Sequence, residues 1–458
     1  MVSTSSPHPD GMVSFWRGNP HALDDYRSTP DLPAEIDVVI IGAGYAGAST
    51  AFHILDQSTN QTPPSVLILE ARQACSGATG RNGGHLKPDP YNHVASIAAE
   101  YGYEAAAEVA NFEASHVPAL KAFIEKEEID CDFVVTRAID VQLSSAHRER
   151  LKAGYEKLLH AGVEATKNVF YASESTAEGL SGVKGAKGCF SYPAGHLWPY
   201  KLITGILARV LARGVNLQTH TPVSAVSEQQ DESGRWVVQT PRGTVRAKNI
   251  VFATNAYTSS ILPQYKNKIV PVRGICSRIV VPDPAPLLSF TYTLRWGPVM
   301  YDYLIPRADG SIVVGGARTA YLENLDSWYN NADDSKVIES AKSYFDGYMQ
   351  RNFRGWENSG AKTNQVWTGI MGYSSDSLPH IGKVPGKSGQ FILAGFTGHG
   401  MPEIFLSAKG VAAMLVNDTS FGETGIPRLY KTTQARLDSS VNKILTSVED
   451  VIKPQPKL

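Results

Sequence analysis

The chain has 458 residues, 42% hydrophobic, 9% aromatic and 19% charged; it is too long for one core and too apolar for disorder, so two domains, or a nucleotide-binding domain with a large insertion, are expected. Lys and Arg number 43 against 44 Asp and Glu, a net charge of −1, which leaves no field to hold a polyanion and argues against nucleic acid as a partner. Cys75, Cys131, Cys189 and Cys276 stand far apart with no C-x-x-C pair, so neither a metal site nor a disulfide framework is expected, and a reducing, cytoplasmic setting fits.

Residues 1–34, with clustered Pro, Ser and Asp, read as an extended N-terminal arm, and Met1–Asp10 shows no cationic start followed by an apolar run. Order begins at Ile36-Asp37-Val38-Val39-Ile40-Ile41, a nearly continuous β-branched run of the kind buried on both faces of a parallel sheet. Gly42-Ala43-Gly44-Tyr45-Ala46-Gly47 follows as G-x-G-x-x-G, then a helix from Ala46 to about Gln57, then the strand Val66–Leu69 ending in Glu70. This is a βαβ unit whose glycines let a pyrophosphate approach the backbone at a helix N-terminus, and whose acid is placed to accept hydrogen bonds from a ribose. Ser76–Gly84 is a second glycine-rich loop. Residues 100–130 and 145–162 are spaced as helices, and Phe133–Leu143 and Arg235–Thr240 alternate as strands. Val251–Thr254 and Phe391–Ala394 are short apolar strands, the latter leading through Gly395–Met401 into a helix over Pro402–Val416. No eighteen-residue apolar run occurs, so no spanning helix and no membrane partner are expected. The terminal Pro456-Lys457-Leu458 matches the Ser-Lys-Leu peroxisomal address only in part, and a frayed polar end is the commoner explanation.

A single glycine-rich loop reads as a plain turn. Three together favour a flavin over a nicotinamide, because a long flat ring needs backbone to pass close along it. On Gly42–Gly47, Glu70, Ser76–Gly84, Ala253–Tyr257, Trp367-Thr368-Gly369 through Asp376–Gly382, and Gly395–Gly400, the chain resembles the D-amino-acid oxidase-type family of FAD-dependent oxidoreductases, in the γ-glutamylputrescine oxidase and sarcosine oxidase branches. The resemblance implies an α/β Rossmann-like FAD-binding domain (35–90, 195–265, 365–430) interleaved with an α+β substrate domain built on an antiparallel sheet (91–194, 266–364), and a C-terminal helix or tail over 431–458. It implies FAD contacts from Gly42, Ala43, Gly44, Gly47, Glu70, Ala71 and Arg72, from Thr79, Gly80, Arg81, Asn82, Gly83 and Gly84, from Val223, Thr254, Asn255 and Gly369, and from Gly398, His399, Gly400 and Met401. Two departures from the family follow. The sarcosine oxidase cysteine that tethers FAD corresponds to Gly369, so no tether forms there, and the oxygen-activating lysine corresponds to Val313 or a neighbour, leaving Arg318 or His399 as the substitute cation.

The resemblance further implies oxidation of the C–N bond of an amine or amino acid to an imine by hydride transfer to flavin, with molecular oxygen the expected acceptor, in a monomer or small homo-oligomer. Tyr292, Trp296, Met300, Tyr301 and Tyr303 are candidates to wall the substrate pocket, Trp367 a stronger one, and Arg273 and Arg318 candidate carboxylate clamps. Tyr301, Trp367, Arg318 and His399 are therefore the candidate catalytic set. An FAD-dependent biosynthetic flavoprotein catalysing oxidative cyclisation or dehydrogenation is the alternative, and an NAD-dependent dehydrogenase is disfavoured.

Overall fold

A computed structural model describes residues 6–58, 62–282 and 287–452; the C-terminal Pro-Lys-Leu lies outside them. The apolar run Glu35–Ile41 forms the centre of a first sheet, flanked in parallel by Gly243–Phe252 and Val66–Leu69. Gln390–Ala394 and Asn216–Gln218 continue the sheet outward in parallel, His380–Lys383 adds an antiparallel edge, and Trp236–Thr240 folds back on Gly243–Phe252. The helix Tyr45–Gln57 packs against Ile404–Val416 and Pro199–Ala212. This is the expected Rossmann-like nucleotide-binding layer.

The second sheet runs in the order Lys362–Ser374, Ile269–Val280, Ile312–Gly315, Tyr301–Pro306, Thr291–Arg295, Val134–Gln142, Gly188–His196, His85–Leu86. Its pairs are antiparallel except Thr291–Arg295 on Val134–Gln142. Strand alternation splits its side chains between two cores. Cys276, Ile305, Val313 and Trp367 face the glycine loops and join the core of the first layer, whereas Tyr292, Leu294, Leu304 and Val314 face away into a separate core capped by Phe345, Tyr348 and Phe353.

Three expected boundaries shift. Lys362–Ser374 pairs along Ile269–Val280, and His85–Leu86 pairs with Gly195 and His196, so both belong to the second sheet rather than to the nucleotide-binding segments 365–430 and 35–90. A strand's own residues do not encode which neighbour it pairs with. Residues 6–34 are no free arm: Trp16 is fully buried and donates through Nε1 to the Asn82 carbonyl at 2.6 Å, Ser14 donates to the Gly80 carbonyl, and Arg17 pairs with Asp24 at 2.7 Å. Among the described residues no helix is long and apolar enough to cross a membrane.

Candidate functional site

Between the two sheets lies a cavity of about 400 Å³. Its floor is the turn after the first strand. Gly42 has φ +112°, where a Cβ would stand 2.7 Å from the Ala253 carbonyl oxygen, and a Cβ on Gly47 would overlap the Gly42 carbonyl oxygen. Both positions therefore require glycine, which brings the helix Tyr45–Gln57 against the strand. The helix starts at Gly44 with no side-chain cap of its own, and Thr79 Oγ1 accepts from the Tyr45 amide at 3.1 Å. Remaining first-turn amides have no intrahelical acceptor, and Gly44, Tyr45 and Ala46 line the cavity, a fit for phosphate oxygens. Glu70 closes the neighbouring strand end, its oxygens accepting from the Ala43 and Arg72 amides at 2.9 Å each. A cavity with a helix N-terminus capped only at its first amide and an acid beside it fits a dinucleotide, and FAD is the one the three glycine loops accommodate.

Of the residues expected to touch the cofactor, Gly42, Gly44, Glu70, Ala71, Arg72, Thr79, Arg81, Asn82, Val223, Thr254, Asn255, Gly369, Gly398, Gly400 and Met401 all line this cavity. Several do not. Ala43 gives its amide to Glu70, and Gly47 packs helix on strand. Gly80, whose Cβ would overlap the Cys75 carbonyl, makes a tight turn. Gly84 has φ +77° and a Cβ there would meet the Leu197 carbonyl at 2.7 Å, while Gly83 and Gly315 are bare so that the Tyr303 ring fits between them. Arg81 lines the cavity with a committed guanidinium, which donates to the Ser76 carbonyl at 2.7 Å and the Thr368 carbonyl at 2.8 Å and lies 3.4 Å from Asp334. Burial pushes its pKa down to about 10. Asp334, fully buried, also takes Arg72 at 3.0 Å; nothing in the local sequence marked this loop residue.

Trp367 is a correction. It is fully buried beneath the second glycine loop, donating to the Arg81 carbonyl at 2.8 Å, and does not line the cavity. Tyr292 is another: it lies on the far face of its strand, edge-on to Phe353 at 5.4 Å. Of the expected aromatic walls Tyr303 lines the cavity, joined by Cys276, Met371 and Tyr257, whereas Tyr301 and Arg318 are not part of that lining; the alternation of Tyr301 and Tyr303 along their strand puts both on one sheet face. Arg273 is committed to the Ser327 and Lys336 carbonyls at 3.1 and 2.7 Å. Arg318 is half-buried, stacks on Tyr301 at 4.7 Å and donates to the Tyr373 hydroxyl and, at 3.4 Å, to the Val299 carbonyl. Among the described residues it has no carboxylate partner. Val313 is fully buried in the core.

His399 sits between the cavity-lining Gly398 and Gly400 and is not itself part of the lining; it pairs with Glu113, Nε2 to Oε2 at 2.8 Å. Burial alone would lower its pKa, but the carboxylates of Glu113, Glu403 and Asp89 override it and hold the imidazole charged to about pH 10. Burial and the Glu113 charge push the neighbouring Glu403 carboxyl up to about 8.

Residues 37–414 match the family described as DAO, FAD dependent oxidoreductase. The gamma-glutamylputrescine oxidoreductase of Escherichia coli (strain K12) is 24% identical over 392 residues, covering 83% of this chain and 84% of that protein. The glycine oxidase structure from Geobacillus kaustophilus superposes with TM-score 0.67 at 20% identity, over 85% of this chain and 96% of that one. The L-amino acid deaminase from Proteus myxofaciens, in complex with anthranilate, gives 0.66 at 17% identity, over 90% and 96%. Cavity, fold and sequence agree: this chain belongs to the DAO family of FAD-dependent oxidoreductases.

Proposed function

We propose that the chain oxidises the C–N bond of an amine or amino acid bearing a carboxylate, releasing an imine, with molecular oxygen as the final acceptor. The observation that carries this reading is Arg318, a half-buried guanidinium without a carboxylate partner among the described residues, on the same sheet face as the cavity-lining Tyr303. A relative named for gamma-glutamylputrescine and another named for glycine support the amine class.

Glu70, Pro222 and Val223 would hold the ribose and adenine, the first turn of Tyr45–Gln57 the pyrophosphate, and Gly274, Cys276, Gly369, Met371 and Gly398 the ring system. Bound FAD would supply the acceptor for a hydride, which carries both electrons of the oxidation. Arg318, held by Tyr301 and Tyr373, orients the substrate carboxylate, and the Tyr301 and Tyr303 rings exclude water from the reacting carbon. The amine proton leaves to solvent. No tether is proposed at Gly369, which has no side chain to form one.

The purified protein is expected to be yellow and to release FAD on denaturation, and anaerobic amino acid should bleach it. Arg318→Met should raise KM for carboxylate-bearing substrates about 10- to 100-fold, as loss of hydrogen bonds to a charged group does, with kcat less affected. If no amine or amino acid bleaches the flavin, the function is wrong; if Arg318→Met leaves KM unchanged, the clamp is wrong.

Oxygen reduction benefits from a fixed cation, and His399 is proposed to provide it. Its folded pKa, about 10, lies above the ordinary 6.5, so the pairing with Glu113 stabilises the fold fully below pH 6.5 and is lost as pH rises through 10. Glu113→Gln should move the imidazole titration down toward 6.5, and reoxidation by oxygen, level to pH 9 in the parent, should fall across pH 6–8 in the variant. Identical pH profiles would remove His399 from this role.

A further inference from the structure

The sheet face opposite the second glycine loop carries a second uncommitted cation. Lys87 follows the short strand His85–Leu86, is half-buried, donates through Nζ to Thr293 Oγ1 and lies 5.6 Å over the Tyr192 ring. Thr293 is the cross-strand partner of Tyr303, and Arg295 that of Tyr301. Lys87 therefore reaches the same face as Arg318, their anchoring side chains Thr293 and Tyr301 being diagonal neighbours about 7–8 Å apart.

Every carboxylate near Lys87 is already engaged. Asp140, on the adjoining strand, accepts from Arg295 Nε at 2.8 and 3.0 Å and from the Tyr91 hydroxyl at 2.8 Å. Asp89 accepts from the Asn92 amide at 2.7 Å and the His93 amide at 3.0 Å. The other groups facing it bring no negative charge: Arg295 is a cation, burial drives His85 well below its usual range and so keeps it neutral, and burial raises the Tyr192 hydroxyl. No carboxylate forms an ion pair with Lys87 among the described residues. A partly buried ammonium with no ion-pair partner is costly, and a sheet face that carries two such cations beside the cavity-lining Tyr303 is complementary to a ligand with two negative ends.

We propose that Lys87, with the Thr293 hydroxyl, is a second anion-binding point in the chamber, so that the substrate is an amine or amino acid carrying two acidic groups, one on Arg318 and one on Lys87. The proposal rests on the amine-oxidising function above and narrows its substrate. Burial lowers the Lys87 pKa to about 8, which still leaves it charged at neutral pH.

The test is calorimetric titration of the oxidised holoenzyme at pH 7 with non-oxidisable probes: the straight-chain dicarboxylates malonate to adipate, each against the monocarboxylate of equal length. At least one dicarboxylate should bind about tenfold or more tightly than its monocarboxylate, the added charge-assisted contact being the source. Lys87→Met should erase that difference and leave monocarboxylate binding unchanged, and Lys87→Arg should retain most of it; flavin content and circular dichroism of each variant check folding. Arg318→Met should weaken both probe classes. No dicarboxylate preference in the parent, or a preference surviving in Lys87→Met, overturns the proposal. A preference that Lys87→Met abolishes, with the affinity of both probe classes unchanged in Arg318→Met, upholds Lys87 and removes the Arg318 clamp instead.

Discussion

Replacing Asp334 by alanine is expected to destabilise the protein by about 3–5 kcal/mol, because it strands buried cations. The carboxylate is fully buried between Arg72 and Arg81, at 3.0 and 3.4 Å. Removing it leaves two guanidinium groups in a space that water does not reach. Arg72 would keep its bond to the His8 carbonyl, and Arg81 its bonds to the Ser76 and Thr368 carbonyls. Those neutral acceptors compensate only part of the lost charge pairing. Both arginines belong to the loop that lines the cofactor cavity, so flavin retention should fall together with stability. Urea denaturation of the holoenzyme measures the first, flavin absorbance per protein after gel filtration the second. A loss under about 1 kcal/mol would mean that the carbonyl acceptors alone satisfy both guanidinium groups.

Gly47→Ala is expected to abolish flavin retention. A Cβ at this position overlaps the Gly42 carbonyl oxygen, lies 3.0 Å from the Gly42 carbonyl carbon and stands 3.2 Å from Ile40 Cγ2. The first two are backbone atoms and cannot rotate aside. The helix Tyr45–Gln57 must therefore lift from the strand, costing about 1–3 kcal/mol of packing or more and pulling its N-terminal amides from the phosphate position. Gly422→Ala is the control, since nothing lies within 4 Å of its Cβ, and it should change stability by no more than about 0.5 kcal/mol. Full flavin content in Gly47→Ala would show that the turn at Gly42 can relax.

The nucleotide-binding layer was legible because its signals are local. A continuous apolar strand, a glycine turn and an acid at the next strand end all fall within residues 36–70, and the structure places them as strand Glu35–Ile41, helix Tyr45–Gln57 and strand Val66–Leu69. The substrate side is built by register, which one strand's residues do not carry. Tyr303 points to the cavity and Tyr292 away because Tyr292 is paired with Leu304, not with Tyr303. Trp367 was expected as a wall because it neighbours Gly369 in the chain, yet its ring lies under Arg81. Asp334 and Lys87 carried no motif at all: their importance comes from which charges the fold leaves beside them, a property of assembled tertiary structure.

The packing of the N-terminal segment has a consequence for biosynthesis. Met12 donates its amide to the Asp334 carbonyl at 2.8 Å, the Val13 carbonyl accepts from Gln365 at 2.9 Å, and the Trp16 carbonyl from Trp198 at 2.8 Å. On a ribosome Asn82 and Trp198 emerge in the first half of synthesis, but Asp334 and Gln365 emerge only after about three quarters of the chain, so Trp16 can seat before Met12 and Val13 find their partners. The two ends of this short segment are therefore seated at different stages of synthesis, the aromatic end first.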